Sequence, residues 1–237
     1  METGKTVLIA GASRGLGWCL AKKYLEDGWN VLAGVRDEGC KGMKELKALY
    51  PENLIPLQMD IKSTESVRSA AETVSGLGGR IDVIINCAGI HGKTSRVVLE
   101  EAEPDDCLEV YDINAVGPLR VVKAFLPMLT DDGNALIVNI SSESGSISTA
   151  GREKEFDYCM SKAAMNMETK LLDNYLGKRG IRVIAVHPGW MRTDMGGANA
   201  DLDPYETACK LAALFASQMG KKDGPIFMDN EGNAYPW

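Results

Sequence analysis

The chain alternates short runs of β-branched and other apolar residues with longer segments of helical periodicity, and this alternation constrains its fold more than any other feature. The apolar runs occupy residues 6–10, 30–35, 53–59, 81–86, 135–141, 181–187 and 225–228. Helical patterns lie at residues 16–27, 63–77, 114–129, 158–178 and 204–219. Such alternation is typical of βαβ units, whose right-handed crossovers place helices on both faces of a parallel sheet. The sequence therefore predicts an α/β fold with a doubly wound parallel sheet of about seven strands.

The composition predicts one soluble domain over residues 1–237. Of the 237 residues, 45% are hydrophobic and 25% are charged, and a chain of this length needs no disulfide or metal to form a stable core. A net charge of -7 disfavours nucleic acid as a partner. No apolar stretch approaches the roughly 18 residues of a membrane span, and the run after residue 5 is too short for a secretory signal. We therefore expect a cytoplasmic protein with no membrane partner.

The cysteines and histidines give no sign of a metal site. The cysteines are Cys19, Cys40, Cys87, Cys107, Cys159 and Cys209. They form no Cys-x-x-Cys pair, and the chain has only 2 histidines. Because zinc sites need clustered ligands, we expect reduced thiols and no bound metal.

A glycine-rich segment directly follows the first predicted strand. It contains Gly11, Ser13, Arg14, Gly15, Leu16 and Gly17 in the spacing G-x-x-x-G-x-G. Glycines permit a tight turn, let the backbone approach a pyrophosphate, and direct the N-terminus of the next helix at the anion. Because this turn joins a strand to a helix, it predicts a Rossmann-type dinucleotide site formed by these residues.

The residues after the second strand bear on the choice of nucleotide. An acidic side chain there binds the ribose 2′-hydroxyl of NAD, whereas an arginine binds the 2′-phosphate of NADP. Val35 occupies the acidic position, and both Arg36 and Arg14 can form charge-assisted hydrogen bonds to a phosphate. The sequence therefore predicts NADP(H) in preference to NAD(H). Asp37 leaves NAD as an alternative, and both arginines could instead be solvated surface residues.

A tyrosine and a lysine lie on one face of a predicted helix. Tyr158 and Lys162 are four positions apart, which places them one helical turn from each other. Ser142 stands sixteen positions before Tyr158, at the end of a predicted strand. Because carboxyl ends of strands face the ligand in a doubly wound sheet, these three residues are candidates for one site.

Several motifs occur together in one order. They are Gly11-x-x-x-Gly15-x-Gly17, Asp60, Asn86-Cys87-Ala88-Gly89, Asn114, Ser142, Tyr158-x-x-x-Lys162 and Pro188-Gly189. In order and approximate spacing the set resembles the short-chain dehydrogenase/reductase family, from Lys5 to Trp237. Residues 187–197 and 232–237 are most similar to sniffer-type carbonyl reductases and C-factor-type bacterial proteins. Cys87 departs from the family pattern, which has asparagine there.

The resemblance implies a reductase mechanism that uses four side chains. Tyr158 would donate a proton to the substrate oxygen, and the Lys162 ammonium would lower the pKa of the phenol and bind the nicotinamide ribose. Ser142 would hold the substrate oxygen, and Asn114 would anchor a water that links Lys162 to solvent. The structural alternatives are a strand-end cap for Ser142 and a helix N-cap for Asn114.

The same matching implies the remaining cofactor contacts. They are Asp60 and Ile61 at the adenine, Asn86, Ala88 and Gly89 beside the adenosine half, and Pro188, Gly189, Met191 and Thr193 around the carboxamide and pyrophosphate. His187 is expected to be a packed side chain rather than a catalytic base. The charged residues 152–155 are expected on a solvated surface.

These residues together predict an NADP(H)-dependent oxidoreductase that reduces an aldehyde or ketone to an alcohol. The alternative is a C-factor-type signalling or sensor protein that binds the cofactor with little turnover. A nucleotide-sugar epimerase or dehydratase is disfavoured because the segment after Thr193 is too short for its substrate domain. Many members of the family form a dimer or tetramer through the helices that contain Asn114 and Tyr158, and others are monomeric. The resemblance therefore implies a homodimer or homotetramer, with a monomer as the alternative.

Overall fold

The computed structural model describes residues 4–237, whose strands form one seven-stranded sheet with only parallel pairs. The strands are β1 (Thr6–Ala10), β2 (Asn30–Val35), β3 (Leu54–Gln58), β4 (Val83–Asn86), β5 (Leu136–Ile140), β6 (Arg182–Val186) and β7 (Phe227–Met228). Their order is β3-β2-β1-β4-β5-β6-β7, so the winding reverses between β1 and β4. This arrangement confirms the predicted doubly wound sheet. Residues 1–3 of the predicted domain lie outside the described range.

Seven α-helices connect the strands in the described part of the chain. They are α1 (Gly15–Glu26), α2 (Lys41–Leu49), α3 (Thr64–Gly76), α4 (Asp106–Tyr111), α5 (Gly117–Phe125), α6 (Phe156–Leu176) and α7 (Pro204–Gln218). Local chemistry defines several ends: the Ser63 hydroxyl accepts a hydrogen bond from the Ser66 amide, and Asp203 caps α7 directly before Pro204. The sequence patterns did not predict α2 and α4. No helix among residues 4–237 has the length and apolar character needed to cross a bilayer.

The core consists of two apolar clusters, one on each face of the sheet. Helices α1, α2 and α7 cover one face, and helices α3, α5 and α6 cover the other. Phe215 of α7 and Phe125 of α5 are fully buried on opposite faces. Burial of a side chain of this size stabilises the fold by about 1.5–3 kcal/mol, so both clusters hold the sheet rigid beneath its carboxyl edge.

Candidate active site

A crevice of about 700 Å³ opens at the carboxyl ends of β1 and β4, where the strand order reverses. Ligands bind at such a switch point in open α/β sheets. Most of the residues predicted to bind the cofactor line this crevice: Gly11, Ser13, Arg14, Gly15, Leu16, Gly17, Arg36, Asp60, Ile61, Ala88, Gly89, Tyr158, Lys162, Pro188, Gly189, Met191 and Thr193. Ser142 also lines it, whereas Asn86 and Asn114 do not.

The glycine-rich turn packs too closely against the segment after β4, and against its own backbone, for larger residues. Gly11 has φ +94°, and a Cβ there would lie 2.7 Å from the Ala88 amide nitrogen. A Cβ on Gly17 would lie 2.1 Å from the carbonyl oxygen of Gly11. Arg14, the residue before α1, forms no side-chain cap, so the first amides of this helix remain available to an anion. The turn therefore fits the pyrophosphate of a dinucleotide.

The two arginines expected at a 2′-phosphate both lie at the crevice. Arg36 follows β2 and is exposed there. Arg14 Nη1 donates a hydrogen bond to Asp194 Oδ2 at 3.0 Å. Asp37 does not line the crevice, and its Oδ1 accepts a hydrogen bond from the Gly39 amide at 2.8 Å. The geometry therefore fits a phosphate at this position better than a ribose hydroxyl bound by Asp37.

Helix α6 presents Tyr158 and Lys162 to the same crevice. Lys162 is 3% exposed, and its Nζ donates a hydrogen bond to the Ile140 carbonyl oxygen at 2.7 Å. This nitrogen lies 5.6 Å from the centroid of the Tyr158 ring. Burial lowers the pKa of Lys162 to about 8. Lys162 therefore lies near the phenol but is held by the end of β5.

The acidity of Tyr158 differs from the sequence expectation. Burial raises the pKa of the phenol above its ordinary value, and a hydrogen bond with Ser142 opposes this effect only in part. The predicted lowering of the phenol pKa by Lys162 is therefore not found in this structure. The physical reason is that burial disfavours charge on both groups. Tyr158 is consequently a protonated phenol at neutral pH.

Ser142 caps a short 3₁₀ helix (Glu143–Gly145) directly after β5. Its Oγ accepts a hydrogen bond from the Ser144 amide and donates one to Ser144 Oγ, both at 3.1 Å. The local contacts of Ser142 are therefore those of the cap that was the structural alternative for this residue. Because the same hydroxyl lines the crevice, the cap also fixes its position beside Tyr158.

Asn114 lies inside a π-helical segment (Asp112–Val116) that joins α4 to α5. Its Oδ1 accepts a hydrogen bond from the Ile90 amide at 2.8 Å, and its Nδ2 donates to the Ile90 carbonyl oxygen at 2.9 Å and to Ser161 Oγ at 3.0 Å. The N-cap alternative is wrong because the helix already begins at Asp106. Asn114 instead clamps the segment after β4 to helix α6.

Asn86 is buried beneath the crevice rather than at its surface. Its Nδ2 donates a hydrogen bond to Asn139 Oδ1 at 2.8 Å, across the neighbouring strands β4 and β5. The expected direct contact with the adenosine half is therefore corrected to a supporting role. The side chain fixes the two strand ends that carry Ala88 and Ser142 into the crevice.

The charged residues at 152–155 are only partly on a solvated surface. Arg152, Glu153 and Lys154 are exposed and Glu155 is half-buried, and both Arg152 and Glu155 also line the crevice. Arg152 pairs with both Glu143 and Glu155. Glu155 has φ 62°, in the left-handed region that non-glycine residues rarely adopt. The sequence did not indicate this ion-pair cluster because no helix or strand spacing relates Glu143 to Arg152, which lies 9 positions further along the chain.

The two histidines have different environments. His187 Nδ1 accepts a hydrogen bond from the Glu143 amide at 3.0 Å, and burial lowers its pKa, as fits a packed side chain. His91 lies against Tyr158 with ring centroids 4.1 Å apart and an interplanar angle of 19°. Sequence reasoning gave no role to His91, because nothing in the local pattern connects it to residue 158.

The chain is similar to short-chain dehydrogenases over most of its length. The family model described as short chain dehydrogenase matches residues 5–202. The short chain dehydrogenase gsfK of Penicillium aethiopicum is 34% identical, and the match covers 98% of this chain and 99% of that protein. The C-signal protein of Myxococcus xanthus is 33% identical over 67% of this chain and 94% of its own length.

Solved structures give the same result. A short-chain dehydrogenase/reductase from Burkholderia multivorans with bound NADP superimposes with a TM-score of 0.92 at 29% identity, covering 99% of this chain and 100% of that one. An NADPH-bound carbonyl reductase from chicken fatty liver superimposes with a TM-score of 0.88 at 30% identity, and the match covers 99% of each chain. The carbonyl reductase Sniffer of D. melanogaster superimposes with a TM-score of 0.89 at 26% identity, and the match covers 99% of this chain and 100% of that one. The predicted resemblance is thus confirmed, and the chain belongs to the short-chain dehydrogenase/reductase family.

Proposed function

We propose that the protein is an NADP(H)-dependent oxidoreductase that reduces an aldehyde or ketone to an alcohol. The observation that carries this proposal is that Tyr158, Lys162 and Ser142 line the same crevice as the glycine-rich turn. A proton donor, a cation and an oxygen-binding hydroxyl thus lie where a dinucleotide would be held. The similar proteins include carbonyl reductases, which supports this reaction type.

Carbonyl reduction requires a hydride at carbon and a proton at oxygen. Bound NADPH supplies the hydride. Ser142 holds the substrate oxygen beside Tyr158, and the protonated phenol of Tyr158 donates its proton to that oxygen. The Lys162 ammonium, whose Nζ lies 5.6 Å from the Tyr158 ring centroid, would favour the phenolate that remains and so oppose the effect of burial once the proton has been transferred. Asn114 Oδ1 retains a lone pair for a water that returns the proton from solvent.

Preference for NADP(H) over NAD(H) follows from the cations at the crevice. Arg36 and Arg14 would bind the 2′-phosphate, and two of the similar structures hold NADP or NADPH. The remaining crevice residues predicted to bind the cofactor would contact its adenine, pyrophosphate and carboxamide groups, as the family resemblance implies.

A signalling or sensor role is the second candidate, because C-signal is among the relatives. Such a protein would bind NADPH with little turnover. The complete set of Tyr158, Lys162 and Ser142 favours an enzyme, since binding alone does not require a proton donor.

The assembly state is part of the same proposal. Helices α4, α5 and α6 carry about half of the large apolar side chains that are exposed in the described part of the chain: Leu108, Tyr111, Leu119, Phe156, Met160, Met167, Leu171 and Tyr175. We propose that this apolar surface forms a homodimer or homotetramer interface. We also propose that residues 1–237 form one domain and that the protein is cytoplasmic, where its six free cysteines would stay reduced.

Turnover with a panel of aldehydes and ketones tests the proposed reaction. Purified protein should oxidise NADPH in their presence, and Tyr158→Phe should lower kcat by roughly 10²–10⁴-fold while still binding NADPH. Absence of turnover with every carbonyl despite NADPH binding would support the sensor role instead. Wild-type activity in Tyr158→Phe would overturn the proposed mechanism.

A further inference from the structure

We propose that His91 is a positioning residue for Tyr158, held in place by a buried hydrogen-bonded pair formed by Ser95 and Asp157. This inference rests on the proposed function, in which Tyr158 donates the proton. It adds a residue from the segment after β4 to the group of side chains around the proton donor, in which Ser142 follows β5 and Tyr158 and Lys162 lie on α6.

The first supporting observation is the contact between the two rings. The centroids of His91 and Tyr158 are 4.1 Å apart and the rings are nearly parallel, at 19°. Stacking of this kind favours one relative orientation of the two rings and therefore restricts the orientation of the phenol. Because a proton donor must lie within about 2.6–3.2 Å of its acceptor, restricting the ring keeps the hydroxyl in reach.

The second observation is the pair of hydrogen bonds that connects His91 to Ser95 and Asp157. Its Nδ1 lies 3.2 Å from Ser95 Oγ, and Ser95 Oγ donates a hydrogen bond to Asp157 Oδ1 at 2.6 Å. Since Ser95 gives its only hydroxyl proton to Asp157, it must accept from His91. The histidine therefore carries a proton on Nδ1, and this bond fixes the plane of the ring.

Two backbone contacts attach the same segment to the start of α6. The Gly92 amide donates a hydrogen bond to Asp157 Oδ2 at 2.6 Å, and the Glu155 amide donates to the Ser95 carbonyl oxygen at 2.7 Å. A Cβ on Gly92 would lie 2.8 Å from Asp157 Oδ2, so a larger residue there would displace the Asp157 carboxylate. Asp157 directly precedes Tyr158 in the chain. The residue that holds the segment with His91 is therefore next to the tyrosine that His91 contacts.

The electrostatics favour a positioning role over a charge effect. Burial lowers the pKa of His91, and Arg96 and Lys162 act in the same direction, opposed by Glu155 and Asp157. His91 is therefore neutral at neutral pH. It supports the phenol by contact and leaves Lys162 as the cation beside Tyr158.

Kinetics with NADPH and 4-nitrobenzaldehyde provide the first test. His91→Ala should lower kcat by roughly 10- to 100-fold, because small displacements of a reacting group are costly, and should leave the KM for NADPH nearly unchanged. His91→Phe keeps the stacked ring and should retain activity within about threefold. Ser95→Ala should lower kcat by less than His91→Ala. Glu153→Gln, an exposed residue of the neighbouring loop, is the control and should match the wild type.

Nuclear magnetic resonance of the protein labelled with ¹³C in its tyrosine rings provides a test that needs no turnover. Tyr158→Phe identifies the Tyr158 signal, which should carry a ring-current shift from His91. His91→Ala should remove that shift and His91→Phe should preserve one. An unchanged Tyr158 signal in His91→Ala, or wild-type kcat in that variant, would overturn the inference. If the wild type reduces no carbonyl, the proposed function fails, yet the resonance measurement still decides whether His91 positions Tyr158.

Discussion

Arg14 Nη1 and Asp194 Oδ2 lie 3.0 Å apart, in an ion pair that joins the glycine-rich turn to the loop after β6. The two residues are 180 positions apart in the chain, and their side chains are 72% and 74% exposed. The same guanidinium is proposed to bind the 2′-phosphate of NADP. Asp194 therefore competes with the cofactor for Arg14.

Asp194→Asn should strengthen NADPH binding because it removes this competition. An exposed ion pair contributes about 0.2–1 kcal/mol, which corresponds to at most a roughly fivefold decrease in the Kd for NADPH. The Kd for NADH should stay the same, since NADH has no 2′-phosphate. Fluorescence titration with both nucleotides measures the effect, and Asp201→Asn in the same exposed loop is the control. Weaker NADPH binding in Asp194→Asn would contradict the competition.

Arg36→Ala should weaken NADPH binding far more than NADH binding. Hydrogen bonds to a charged partner contribute about 1.5–3 kcal/mol, so the Kd for NADPH should rise by roughly 10- to 100-fold. Arg68→Ala, which removes an exposed arginine on α3, should change neither constant. Equal losses for both nucleotides would show that Arg36 does not bind the 2′-phosphate.

The elements that the sequence predicted well depend on local signals. The bounds of β1 and β2 match the apolar runs 6–10 and 30–35, because buried parallel strands are continuous apolar segments with turn residues at each end. The glycine-rich turn is also local. Helix α2 was missed because it has only 9 residues, and in so short a segment the two buried positions Met43 and Leu46 give little helical periodicity.

The parts of the site that the sequence did not predict depend on distant residues. Ser95 and Asp157 are 62 positions apart, and no spacing rule pairs them or places His91 on Tyr158. The pKa values of the site were also not predictable from the sequence, because they depend on burial. The sequence brought Lys162 near Tyr158 but could not show that both groups are withdrawn from water, which sets their pKa values.

Glu168 on α6 should make the folded protein less stable as the pH rises. Neither of its buried carboxyl oxygens has a hydrogen-bond partner in the described part of the chain, and burial raises its pKa from 4.5 to about 8. Between these values the unfolded chain loses the proton while the folded protein keeps it. The stabilisation is therefore fully present below pH 4.5 and is lost as the pH rises through 8.

Glu168→Gln removes this titration and should stabilise the protein at pH 8 relative to the wild type. The expected gain is on the order of 2 kcal/mol, or a Tm about 4–8 °C higher, and should shrink towards pH 5. Thermal unfolding at both pH values and one protein concentration measures it. Glu72→Gln on the exposed surface of α3 should show no such pH-dependent gain. A Tm difference between Glu168→Gln and the wild type that is the same at pH 5 and pH 8 would show that the Glu168 carboxyl does not retain its proton in the folded protein.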